Sequence, residues 1–110
     1  MKSRNKYKAK GVRDPVHGYF HSKGEYNRFT DLQFLQLSGQ IQHLKRQVRF
    51  PLKVNDMLIT NYIVDFTYLD DGVLVAEDFK GYPTPEFIIK KKLFLALWSH
   101  EYELRITSAR

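Results

Sequence analysis

Cysteine is absent from the 110 residues, which excludes a disulfide framework, a thiolate zinc site and a cysteine nucleophile together. That composition suits a reducing compartment. No apolar run is long enough to span a bilayer, and the basic N-terminus lacks the pattern of a signal peptide, so the expected location is the cytoplasm. The four histidines, His17, His21, His43 and His100, are scattered through different elements, and a zinc or histidine-nucleophile site would need an unusual fold to gather them. Acid is the minority charge, with 12 Asp plus Glu against 18 Lys plus Arg, a net charge of +6 and a pI near 9.6. Such a balance favours polyanionic partners, of which nucleic acid is the commonest. A hydrophobic share of 43% and an aromatic share of 15% in 13.1 kDa predict one folded domain whose core needs no metal or disulfide staple.

The stretch from Asn61 to Gly81 reads as two strands joined by a turn at Asp70, Asp71 and Gly72. A period of two puts Tyr62, Val64, Phe66 and Tyr68 on one face of the first strand and Asp65 on the other. On the second strand Leu74, Ala76, Asp78 and Lys80 share a face. Whether Asp65 joins Asp78 and Lys80 depends on loop length: an even loop groups them, whereas a three-residue loop opposes Asp65 to Glu77. The even loop is preferred because it leaves Val73, Val75 and Phe79 to cover the face carrying Tyr62, Val64 and Phe66. Two carboxylates held close together repel and raise a pKa unless a positive charge lies between them, and a hard divalent cation suits that position. Lys80 adds a fixed positive charge at the edge. An Asp on one strand followed by Asp-x-Lys on its neighbour, here Asp65 with Asp78-Phe79-Lys80, resembles the PD-(D/E)XK nucleases.

Residues 1–17 read as a basic N-terminal arm, in which Lys6, Lys8 and Lys10 are candidates for phosphate contact, and residues 18–110 as a single domain. Ser22-Lys23-Gly24-Glu25 forms a capping box opening a helix to about Ser38, with Gly39 as its stop. Glu25 falls on the inward stripe with Phe29, Leu32 and Gln36. It either returns a hydrogen bond to the Ser22 backbone or faces a cation. Leu44 to Leu52 alternates as a strand carrying Gln47, a candidate for orienting water or touching substrate backbone, and Pro51 confines that strand to an edge or ends its pairing. Thr84 and Pro85 start a second helix to about Trp98, where Lys90 and Lys91 are candidate phosphate contacts. Glu101 to Ile106 is a final strand.

The expected fold is therefore α/β, in the order helix-strand-strand-strand-helix-strand, with a mixed sheet flanked by helices. That order matches a restriction-endonuclease-like core, so the resemblance extends over residues 18–106. The run Gly18 to Glu25, with Gln47, Tyr62-Ile63-Val64-Asp65-Phe66, Glu77-Asp78-Phe79-Lys80-Gly81 and Thr84, is similar to a small family of phage and prophage proteins. That family is catalogued as a domain of unknown function and placed in the nuclease superfamily; His21 departs from its pattern, where a small acid is expected.

The resemblance implies a metal-dependent DNA endonuclease in which Asp65, Asp78 and the Phe79 carbonyl bind Mg²⁺, with Mn²⁺ able to substitute, and Glu25 completes the site. It also implies catalytic roles for Lys80 and Gln47, branched DNA such as a Holliday junction as substrate, a C2 homodimer to cut it in pairs, and the host cytoplasm as location if the protein is phage-encoded. The alternative is a non-catalytic nucleic-acid-binding module that uses the basic arm and the lysine-rich helix.

Overall fold

Each helix begins where a short polar side chain satisfies a free backbone N–H. Ser22 Oγ accepts from the Glu25 N–H at 3.0 Å to open α1 (Lys23–Leu37). Thr84 Oγ1 accepts from the Phe87 N–H at 3.1 Å to open α2 (Pro85–Trp98), with Pro85 in the first turn. Such a cap stabilises a helix by about 1 kcal/mol. Gly39, at φ +85°, takes the left-handed conformation that ends α1. The structure is a computed structural model and describes residues 11–80 and 82–108.

Around these helices lie β1 (Val12–Asp14), β2 (Gly18–Phe20), β3 (Ile41–Val54), β4 (Met57–Asp70), β5 (Val73–Phe79) and β6 (Glu103–Thr107). The main sheet has four strands in the order β3-β4-β5-β6. Its first three strands are antiparallel, and β6 returns through α2 to lie parallel to β5, so the sheet is mixed as expected. β3 is an edge strand, and its pairing with β4 continues through Pro51↔Asn61, so Pro51 marks the edge without ending the pairing. No helix among the described residues is long and apolar enough to cross a membrane.

One correction concerns the N-terminal boundary. Residues 12–14, assigned from sequence to the basic arm, form β1 and pair with β2 as a separate two-stranded sheet. Asp14 holds its turn by accepting from the N–H groups of Val16 and His17, and Tyr26 on α1 donates to its other carboxylate oxygen at 2.7 Å. These bonds hold the Asp14 carboxyl at about 2, with Tyr26 the largest cause and the two N–H groups next. Residues 1–10, including Lys6, Lys8 and Lys10, lie outside the described residues.

A second correction concerns the faces of β4. Regular alternation would keep Tyr62, Val64, Phe66 and Tyr68 together, but the structure divides them. Phe66, Tyr68 and Val75 pack with Phe29 and Leu32 of α1, whereas Tyr62, Val64 and Ala76 pack with Phe87 and Phe94 of α2. β3 switches likewise, with Leu44 against the α1 cluster and Val48, Phe50 and Leu52 in the α2 cluster. Both switches occur where Gln47, at φ 54°, lies between the paired residues Arg46↔Phe66 and Val48↔Val64, opposite Asp65. The strands therefore turn over together without losing register, and the residues at the turnover belong fully to neither face.

Candidate functional site

The turn Asp71-Gly72 has φ of 52° and 82°, the paired positive values of a two-residue type I′ hairpin. Its register runs from Asp70↔Val73 to Phe66↔Glu77, which is the even loop and places Asp65 against Asp78. There the regular ladder stops and side chains take over. The Asp65 N–H donates to Asp78 Oδ1 at 3.3 Å, and the Phe79 N–H donates to Asp65 Oδ2 at 2.9 Å. The carboxylates thus brace the strands where they diverge.

Other groups converge on this brace. Asp78 Oδ2 accepts from the Tyr62 hydroxyl at 2.8 Å and lies 3.4 Å from Lys80 Nζ. Asp65 Oδ1 accepts from Gln47 Nε2 at 3.1 Å, and the same amide reaches Glu25 Oε2 at 3.5 Å. The Glu25 carboxylate, 3% exposed as a residue, faces Gln47, Arg46 Nη2 at 3.6 Å and His21 Nδ1 at 3.8 Å. Capping at this helix start is done by Ser22 Oγ, so the Glu25 side chain points into the site. The left-handed backbone of Gln47 carries a strain on the order of 1–3 kcal/mol, and its side chain is what joins the two acids.

α1 approaches this closely because Gly24 has no side chain. A Cβ there would lie 2.5 Å from the Phe79 ring. The structure ties Phe79 to the pair through its backbone N–H. Lys80 Nζ also sits 4.6 Å over the Phe87 ring. Beside it opens a cleft of about 280 Å³, lined by Asn61, Tyr62, Ile63, Lys80, Phe87 and Lys90 among others. Lys90 is held there by Glu86 at 3.0 Å, while Lys91 does not line the cleft.

Sequence reading had not singled out Tyr62 or Arg46. Alternation put Tyr62 on the face opposite Asp65, and only the turnover of β4 brings its hydroxyl to Asp78. Arg46 donates to the carbonyls of His17 and Tyr19 and stacks 3.6 Å from the Phe20 ring, contacts made by the unexpected β1–β2 unit.

Burial, then the hydrogen bond and charge of Asp78, then the charge of Glu25 push the Asp65 carboxyl up to about 8, against the opposing Phe79 N–H. The Tyr62 hydroxyl is also raised, by burial first and by Asp78 second. Among the described residues no three His, Asp or Glu side chains assemble a metal cage. What is present is a pair of hard oxygen donors whose mutual repulsion a cation would relieve. That donor set fits Mg²⁺, which is commonly bound through one or two carboxylates with the remaining positions left to water and phosphate.

The raised Asp65 makes stability depend on pH. Between its unfolded value of 3.8 and its folded value of about 8 the folded chain holds a proton that the unfolded chain has lost. Stability present below the lower value therefore drains away as pH rises to the upper one. In EDTA at pH 8, Asp65→Asn is expected to be more stable than wild type. One pKa unit corresponds to about 1.4 kcal/mol, and each 1 kcal/mol moves Tm by about 4–8 °C. Thermal melts at pH 5 and 8 check this; an equal Tm difference at both would refute it.

Neither curated proteins nor solved structures give a match to this chain. One family does match, over residues 4–109, and covers the hairpin, both helices and every residue of the site just described. The chain belongs to the family described as protein of unknown function (DUF1064).

Proposed function

We propose that this protein is a Mg²⁺-dependent endonuclease of the PD-(D/E)XK type, acting in the cytoplasm on DNA phosphodiesters. The observation that carries the reading is the Asp65–Asp78 brace with Lys80 Nζ 3.4 Å from Asp78, beside a cleft in a chain of net charge +6. Asp65 and Asp78 would hold Mg²⁺, and Glu25 and the Phe79 carbonyl would have to draw in to join them, since no three acids form a cage among the described residues. When bound, the ion supplies Lewis-acid neutralisation of the scissile phosphate and an acidified water.

This chain's own groups do the rest. Lys80 places a fixed ammonium where charge builds on the phosphorane oxygens. Gln47 orients the Asp65 and Glu25 carboxylates through its one amide. Tyr62 donates to Asp78 and so sets which oxygen faces the cleft, and Lys90 adds positive charge at the cleft wall. The +6 balance draws the polyanion in. Branched DNA, including a Holliday junction, is the substrate class this reading favours, with a C2 homodimer presenting two such sites to its equivalent strands.

The test is cleavage of a labelled four-way junction and a linear duplex in Mg²⁺ and in EDTA by wild type, Lys80→Ala and His100→Ala. Wild type and His100→Ala are expected to cut only with Mg²⁺. Lys80→Ala is expected to fold normally and lose about 10²–10³-fold in turnover. Binding without cutting in every condition would instead favour a non-catalytic nucleic-acid-binding module.

A further inference from the structure

β3 and β4 continue past the site as a hairpin whose outer residues are exposed. Residues 53–59 are all exposed, and the tip Asn55-Asp56, at φ 51° and 67°, is another two-residue type I′ turn. This hairpin has two unusual properties. Its edge strand, β3, contains Lys45, Arg46, Arg49 and Lys53 without one Asp or Glu. Arg46 is engaged beside Glu25, while Lys45, Arg49 and Lys53 are exposed, and no ion pair involves them among the described residues. At its tip, Met57, Leu58 and Ile59 are 66%, 50% and 51% exposed.

Edge lysines by themselves blunt strand pairing. Exposed apolar residues beside the Asn55-Asp56 tip of a cation-lined ridge are a different combination, because exposed Met, Leu and Ile do nothing to discourage aggregation. The ridge also disfavours a second copy of this chain, since apposed β3 edges would set cations against cations. A polyanion with an apolar interior satisfies both features. In nucleic acid the phosphates meet the cations, and apolar side chains of this kind act as wedges where base stacking opens.

On these grounds, and resting on the nuclease reading above, we infer that the β3–β4 hairpin is a DNA-binding arm that selects interrupted duplexes. Arg49 and Lys53 hold the backbone of a duplex arm, and Met57, Leu58 and Ile59 occupy an unstacked step at a branch or discontinuity. Met57 lies eight residues from Asp65 along β4. At about 3.4 Å per residue the tip therefore stands about 27 Å from the carboxylate pair. With about 3.4 Å between nucleotides along a strand, that is about eight nucleotides from the reacting phosphate.

The test uses the full chain and two variants altered only at exposed positions, Arg49→Gln/Lys53→Gln and Met57→Ser/Leu58→Ser/Ile59→Ser. Binding is measured without divalent metal across a KCl series, on a four-way junction carrying 2-aminopurine at its branch point and on a linear duplex of equal length. The charge variant is expected to bind both DNAs more weakly, with the slope of log K against log salt reduced by about 1.8, or about 0.9 per lost phosphate contact. The apolar variant is expected to lose the 2-aminopurine signal and about tenfold in junction affinity while keeping linear-duplex affinity. Wild-type slopes and fluorescence in both variants would overturn the inference, as would failure of wild type to bind either DNA. Wild-type protein that binds as expected but does not cut in Mg²⁺ would overturn the nuclease reading and leave the arm standing.

Discussion

Asp78→Asn is expected to fold, to bind DNA, and to cut it at least about 10³-fold more slowly than wild type in Mg²⁺. The amide keeps the shape of the carboxylate and an oxygen to accept from the Tyr62 hydroxyl, so the α2 side of β5 stays packed. What it loses is the negative charge beside Lys80 and Asp65. Without metal, that loss removes a like charge from the place a phosphate must approach, so DNA binding in EDTA is expected to tighten. The hydrogen bond and charge of Asp78 are the second and third causes of the raised Asp65 carboxyl, so the variant is also expected to lower it. Weak binding together with weak cutting would point to misfolding, which a thermal melt detects. Wild-type cutting by Asp78→Asn would remove this pair from the chemistry.

The neighbouring acid is expected to matter for the opposite reason. Glu77 is fully buried on the α1 side of β5. It accepts from Arg28 Nε at 2.6 Å and Nη2 at 3.0 Å, from the Tyr68 hydroxyl at 2.5 Å, and from Thr107 Oγ1 at 3.1 Å. Burial alone would raise its pKa, but Arg28, Tyr68 and Thr107 outweigh burial and hold it below the ordinary value.

Arg28→Met removes the only cation of this set and leaves a buried carboxylate, a change that costs about 3–5 kcal/mol. Domains of this kind have only about 5–15 kcal/mol in total. The sign reverses with pH. In wild type the Glu77 contribution is present above its unfolded value of 4.5 and is lost as pH falls. In the variant, burial without Arg28 raises the carboxyl, so stability is lost as pH climbs from that value. The gap between the two proteins should therefore narrow toward pH 4. Urea denaturation at pH 4 and 7 checks this, and a gap independent of pH would show that Arg28 acts through packing alone. Arg28 does not line the cleft beside Lys80, so any effect on cleavage should track the folded fraction.

Glu77 and Asp78 are adjacent acids with different tasks, and period-two alternation separated them correctly once the loop was even. The even loop was preferred so that Val73, Val75 and Phe79 would cover the face carrying Tyr62, Val64 and Phe66. The register is as expected and opposes Asp65 to Asp78, although Tyr62 and Val64 turn to the other face. The helix starts at Ser22 and Thr84 and the stop at Gly39 were legible because each depends on one or two residues and their own backbone, whereas Pro51 left an edge position and the end of pairing both open. The pairing of β1 with β2 was not. Strands of three residues carry too little periodicity to stand out from a basic, turn-rich segment, and Val12 and Phe20 find their cluster only once α1 is in place.

The turnover at Gln47 and Asp65 was hidden for a deeper reason. Alternation assumes that a strand keeps one face toward one partner, whereas β3 and β4 run long enough to pack first against α1 and then against α2. Nothing local to Gln47 announces a left-handed backbone. It is held there by packing on both sides of the sheet and by the bonds its amide makes to Asp65 and Glu25. The sequence by itself determined the two helix starts, the hairpin register and the opposition of two aspartates, because those follow from short-range backbone chemistry. Only the tertiary structure decided that Tyr62, Arg46 and Glu25 join them, because side chains far apart in the chain meet only when two helices claim opposite faces of one twisting sheet.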